Sequence, residues 1–184
     1  MLRLLLASTT ILSLFACSGL SKERPVTTAQ HEAMLTIDDI AEWSPDLVID
    51  RSKESIKATR EFDGAINIEY KYQTEGFFIS SLASIEPKPS DTVIVYNAFR
   101  IGERIGSAGE ASVEQRERTD AFKWGDESRY ADWLGNGKVV GFGYCARKDR
   151  YTWYSVVVGL AFEPEQAEEM LRPKLDKLAT LPAE

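Results

Sequence analysis

The segment AINIEYKYQ (65–73) alternates without a break, with Ile66, Ile68, Tyr70 and Tyr72 on one side and Asn67, Glu69 and Lys71 on the other. A period of two is the pattern of a half-buried antiparallel strand. Asp63-Gly64 just before it is a hairpin signal and pairs it with a strand around 55–62. FFISSLASI (77–85) predicts the next strand, closed by the turn Glu86-Pro87-Lys88-Pro89-Ser90. The last third repeats the theme, with strands around 111–118 and 128–134 and a tight turn at Gly135-Asn136-Gly137. KVVGFGYCAR and YTWYSVVVGLAF follow, joined at Lys148-Asp149-Arg150, and the second places Tyr154, Val156, Val158, Leu160 and Phe162 on one face.

Helical patterns fall between these strands. Thr36-Ile37-Asp38-Asp39 has the form of a capping box opening a short helix through Trp43, and Ser44-Pro45 stops it. DTVIVYNAFRIGERIGSA (91–108) carries both signals: Val93-Ile94-Val95 suits a strand, whereas Ile94, Ala98, Ile101 and Ile105 form a helical stripe behind Ser90 or Asp91. We read it as a helix, with Gly102 as an interruption. Pro164 suits a first helical turn and opens a C-terminal amphipathic helix with Ala167, Met170, Leu171, Leu175 and Leu178 inward. Its glutamates cluster at the start and Arg172, Lys174 and Lys177 near the end, which matches the helix dipole. Pro173, with no N–H to donate, is expected to kink it.

The expected fold is α+β: an antiparallel sheet covered by helices in a single globular domain, 33–184. This order of elements, with SVVVGLAFEPEQAEEMLRPKL as its best stretch, resembles the PsbP/Mog1/DcrB-type α/β/α sandwich. The resemblance implies a group that includes bacterial envelope lipoproteins; it carries no diagnostic motif, so no functional residue is transferred.

The N-terminus places Arg3 before an apolar run from Leu4 to Phe15. That run is shorter than the ~20 residues a spanning helix needs and suits a signal peptide. It ends in Leu14-Phe15-Ala16-Cys17, which resembles the bacterial lipobox. The resemblance implies cleavage after residue 16, acylation of Cys17, and attachment to a membrane through at least two acyl chains, where one alone would be marginal. Ser18 leans towards the outer membrane, with the domain facing the periplasm. Residues 17–32, polar with Pro25 and no apolar period, are read as the lipidated N-terminus and a flexible tether.

Charge narrows the partners. The formal net charge is −7 and becomes −8 once Arg3 leaves with the signal peptide. No Lys/Arg-rich patch appears, so nucleic acid is not an expected partner. An acidic surface also repels anionic headgroups, so attachment must come from the lipid. Acylation of Cys17 would rule out an internal disulfide. Cys145 is then read as a buried strand residue, with a reactive thiol as the alternative.

Chemistry is less legible. His31 is the single histidine, at the edge of the tether, so a Ser/His or Cys/His triad is not expected, and neither zinc nor any other cofactor is. GERIGSAG and GNGKVVGFG lack the context of nucleotide-binding loops. Gly141 and Gly143 are read as lowering one sheet face so that Trp153 packs across them. Asp38, Asp39, Glu42 and the Glu163–Glu169 cluster lack calcium-loop spacing and are read as caps and solvated faces.

FKWGDESRYADW (122–133) stands apart, combining Trp124, Tyr130 and Trp133 with Asp126, Glu127, Arg129 and Asp132. An aromatic platform beside carboxylates suits a peptide or glycan groove, with Trp124, Asp126, Tyr130 and Trp133 as candidate binding residues; the same residues suit a packed strand. Three function classes stay open. The first is a non-enzymatic module binding an envelope protein or cell-wall glycan. The second is a small-ligand carrier with a pocket between sheet and helices. The third is a glycoside-type hydrolase using two of Asp126, Glu127 and Asp132, which would have to lie ~5–9.5 Å apart.

Overall fold

The computed structural model describes residues 21–108 and 113–182. Eight strands form one antiparallel sheet: β1 (Lys22–Arg24), β2 (Glu54–Arg60), β3 (Ile66–Thr74), β4 (Phe77–Ile85), β5 (Val113–Glu117), β6 (Glu127–Gly135), β7 (Lys138–Lys148) and β8 (Tyr151–Val158). The helices are α1 (Thr28–Glu32), α2 (Ile37–Trp43), α3 (Asp91–Ala108) and α4 (Pro164–Leu178). Across the sheet the order is β1-β2-β3-β4-β8-β7-β6-β5. Two meanders therefore meet at the β4–β8 pair, and α3 carries the chain from the centre to the far edge. The class is mixed α+β.

The sheet has two differently filled faces. Ile66, Ile68, Tyr70 and Tyr72 of β3 enter the larger core, with Phe142, Tyr144, Trp153, Leu171 and Leu175. The other face holds Tyr96 and Phe99 of α3 against Cys145, Tyr154, Val156 and Val158. One cross-strand row on the larger-core face runs Tyr70, Ser81, Ser155, Tyr144, Tyr130. The two small serines leave a shallow dip in the middle of that face. Fully buried Leu35 lies there, its carbonyl accepting the Ser81 hydroxyl at 3.0 Å. The Tyr70 hydroxyl accepts the Ile37 N–H at 2.9 Å and donates to Glu54 at 3.0 Å, so α2 is fastened to β3 through its own free end. The Thr36 N–H and hydroxyl both reach the Asp39 carboxylate, at 2.8 and 2.9 Å, which sets where α2 begins.

Several expectations are corrected. The segment read as a tether contributes structure from Lys22 onward: β1 pairs with β2, and α1 is capped by Thr27 and Gln30. Backbone pairing at a sheet edge needs no apolar pattern, so KER gave no sign of it. Residues 1–20, including the expected signal peptide and Cys17, lie outside the described residues, as do 111–112 of the expected fifth strand.

On α3 the buried face is Thr92, Tyr96, Phe99 and Gly102, whereas Ile94 and Ile101 are 72% and 56% exposed. Ile94 and Ile101 of the stripe chosen from the sequence therefore face solvent, and Ala98 is half-buried. β8 ends at Val158, and Gly159 after it, with a φ of +103°, breaks the alternation. Tyr154, Val156 and Val158 stay on the α3 side while Leu160 and Phe162 join the larger core. A Cβ on Gly159 would lie 2.2 Å from the Gly76 carbonyl oxygen, which is why the chain can reverse only at a glycine there. Trp153 lies on the opposite face from Gly141 and Gly143, since Phe142 and Tyr144 between them point to its side. Gly141 instead serves a bulge in the β6–β7 pair, where a Cβ would meet the Val157 carbonyl oxygen at 2.0 Å.

Candidate functional site

The 122–133 segment is built from a loop pressed onto the end of β7 and from β6 as far as Trp133. Gly125, at φ +74°, is where the loop touches β7: a Cβ there would lie 2.3 Å from the Arg147 carbonyl oxygen. That oxygen accepts the Asp126 N–H at 2.8 Å. The Asp126 carboxylate accepts the Asp149 N–H at 3.0 Å and lies 3.6 Å from the Arg147 guanidinium. Asp149 is the left-handed residue of the β7–β8 turn, φ 51°. Asp126 is thus occupied in holding one turn against another.

The aromatic residues are divided between the two sheet faces. Trp124 is buried, its indole N–H donating to Asp176 of α4 at 2.9 Å and the Lys148 ammonium lying over its ring. Tyr130 is buried and stacks on Phe142 with ring centroids 5.5 Å apart. Trp133, three residues on, packs half-buried with the α3-side cluster. The structure therefore does not gather Trp124, Asp126, Tyr130 and Trp133 into one groove. Trp124 and Tyr130 are buried, as a packed strand would have them, whereas Trp133 is half-buried and Asp126 exposed. Phe122, which the sequence did not single out, stacks on Tyr144 at 4.5 Å under the Arg172 guanidinium and completes this seam between loop, sheet and α4.

Of the carboxylates, Asp126 and Glu127 both lie against the Arg147 guanidinium, at 3.6 and 3.2 Å, whereas Asp132 stands apart from them. Asp132 shares the Tyr130 face and is almost fully buried, bound by Arg116 at 2.6 Å and Arg118 at 3.4 Å. Glu127 pairs across the sheet with Arg147 on the opposite face, at 3.2 Å, and is exposed. Odd and even positions of one strand point away from each other, so Asp132 and Glu127 cannot flank one bond. Arg118 also grips Asp120 at 2.9 Å, which lowers that carboxyl to about 2.

An open groove of about 500 Å³ runs along the outside of α4, lined by Glu165, Glu168, Glu169, Arg172, Pro173 and Asp176. It is charged and faces solvent, unlike the apolar pocket between sheet and helices that a carrier was expected to have. Arg172 is ion-paired with Glu168 within it. Among the described residues, no group of three or more His, Cys, Asp or Glu side chains is placed to hold a metal ion.

Buried hydroxyls form the other concentration of polar chemistry. Burial pushes the Tyr70, Tyr130 and Tyr144 phenols well up, and Tyr96 to about 12. None ionises near neutral pH, so these groups act as fixed dipoles rather than as acids or bases. Glu86 is the exception in kind: a carboxyl at 4% exposure, accepting the Ser84 hydroxyl at 2.5 Å, with its pKa raised by burial. Comparison of the chain with protein-family models and with curated proteins returned no match.

Proposed function

We propose that this chain is a bacterial envelope lipoprotein whose globular domain is a non-enzymatic interaction or cell-wall-binding module. In this reading residues 1–16 are removed, Cys17 carries the lipid, and the domain faces the periplasm, with Ser18 favouring the outer membrane. The observation that carries it is Leu14-Phe15-Ala16-Cys17 behind Arg3 and an apolar run too short to span a bilayer. Among the described residues no helix is long and apolar enough to cross a membrane, so a lipid on Cys17 would be the attachment this reading requires. The finer fold reading, a PsbP-type sandwich closed by an amphipathic C-terminal helix, belongs to the same proposal. Helix packing on both sheet faces and the inward Ala167, Met170, Leu171, Leu175 and Leu178 support it.

An interaction role is supported by α3, where Val93, Ile94 and Ile101 are apolar side chains left outside the core. An envelope protein or a cell-wall glycan is the expected partner. Intact mass and fractionation of the full chain test the anchor. Cys17→Ser is expected to remove the acyl mass and move the protein from membrane to soluble fraction. Equal masses apart from the substituted atom would overturn it.

A further inference from the structure

We infer that the end of the sheet carrying the β2–β3 turn is seated against the lipid surface, with Phe62 in contact with the bilayer. This rests on the proposed acylation of Cys17 and adds how the domain is mounted. Lys22 of β1 pairs with Arg60, the last residue of β2. Phe62 follows two residues later, in the turn, and is 83% exposed. Only five residue steps separate Cys17 from Lys22, which a fully extended chain spans in at most about 18 Å. An acylated Cys17 lies at the headgroup–acyl boundary. The start of β1 and the turn beside it are therefore held within that short reach of the membrane.

The chemistry of this end suits a headgroup layer. A Cβ on Gly64 would lie 3.6 Å from Pro87 Cγ, so the Pro87-Lys88-Pro89 loop flanks the turn. The end that carries Phe62 thus also carries exposed Lys22, Arg60 and Lys88. An apolar ring among cations on long stems fits a surface whose phosphates lie outside its acyl chains. The acids of the turn are engaged locally: Asp63 accepts the Ala65 N–H at 3.0 Å, and Glu61 accepts from Asn67 at 3.1 Å and Thr59 at 3.3 Å. A single exposed aromatic residue needs no explanation by itself. Val48 is 86% exposed and shows the contrast, because it precedes the turn into the start of β2, at the opposite end of the sheet.

The experiment uses the full chain, acylated in a bacterial host and reconstituted into phosphatidylcholine vesicles. Phe62→Cys and Val48→Cys, each in a Cys145→Ala background, carry an environment-sensitive fluorophore; nitroxide lipids with the quencher just below the headgroup report contact. Both labelled positions are exposed, so neither substitution removes core contacts. The label at 62 is expected to shift to the blue and to be quenched severalfold more than the label at 48. Equal quenching at both positions, or none at 62, in protein with acylated Cys17 that co-floats with vesicles would overturn the seating and leave the anchor standing. An unmodified Cys17 in protein that does not float would overturn both.

Discussion

Glu86 shows how one residue ties burial to pH. Ser84 Oγ lies 2.5 Å from Glu86 Oε1 and 2.8 Å from Asn67 Oδ1, yet a hydroxyl has one hydrogen to give. If that hydrogen goes to Glu86, the Asn67 carbonyl oxygen receives none from Ser84, so the buried carboxylate and Asn67 compete for one donor. Burial raises the Glu86 pKa, and the nearby charges of Asp63, Asp91 and Glu61 raise it further. The folded state then holds the Glu86 proton more tightly than the unfolded state does. Its contribution to stability is complete below the unfolded pKa and is lost as pH rises through the folded one. Glu86→Gln keeps the shape and removes the charge, so it is expected to melt several degrees higher than the native protein at neutral pH. The difference should close as pH falls to where a free glutamate protonates. Thermal melts across that range check this; a Gln variant less stable at neutral pH would show that the carboxylate is needed there.

At the scale of elements, α3 settles which of two apolar stripes does the packing. Tyr96 and Phe99 are 3% and 8% exposed against β7 and β8, and the Phe99 and Tyr154 rings lie 5.7 Å apart. Ile94 and Ile101 point away. Phe99→Ala is expected to cost about 3–5 kcal/mol through lost transfer energy and a cavity. Ile94→Ala and Ile101→Ala should each change stability by no more than about 0.5 kcal/mol. Urea unfolding of the three variants separates the stripes. Pro173 is exposed and α4 continues through it, so the Glu169 carbonyl left without a helical donor can turn to water.

For the whole molecule, joining two meanders at β4–β8 places β7 well inside the sheet, with α3 packed over it. Cys145 lies on β7 at 1% exposure beneath that helix. Its thiol can meet a reagent only if α3 lifts or the sheet opens. Protection of Cys145 from a thiol reagent is expected to give the same free energy as global unfolding followed by far-ultraviolet dichroism. A clearly smaller value would identify α3 as a unit that opens alone and would revive a reactive role for the thiol.

What the sequence determined by itself is what the local backbone dictates. Period-two alternation placed β3, Asp63-Gly64 and Gly135-Asn136-Gly137 placed turns, and Thr36 with Asp39 placed the start of α2, because these depend on residues a few positions apart. Tertiary structure alone decided the rest. A helix bearing Val93, Ile94, Val95, Tyr96, Phe99 and Ile101 has more than one face it could bury, and the sheet beneath selected the aromatic one. β1 was invisible because edge pairing uses backbone groups that KER shares with any segment. The aromatics of 122–133 looked like one platform because sequence proximity says nothing of sheet face. Strand geometry sent Tyr130 into one layer and Trp133 into the other, and Gly125 turned Trp124 onto α4.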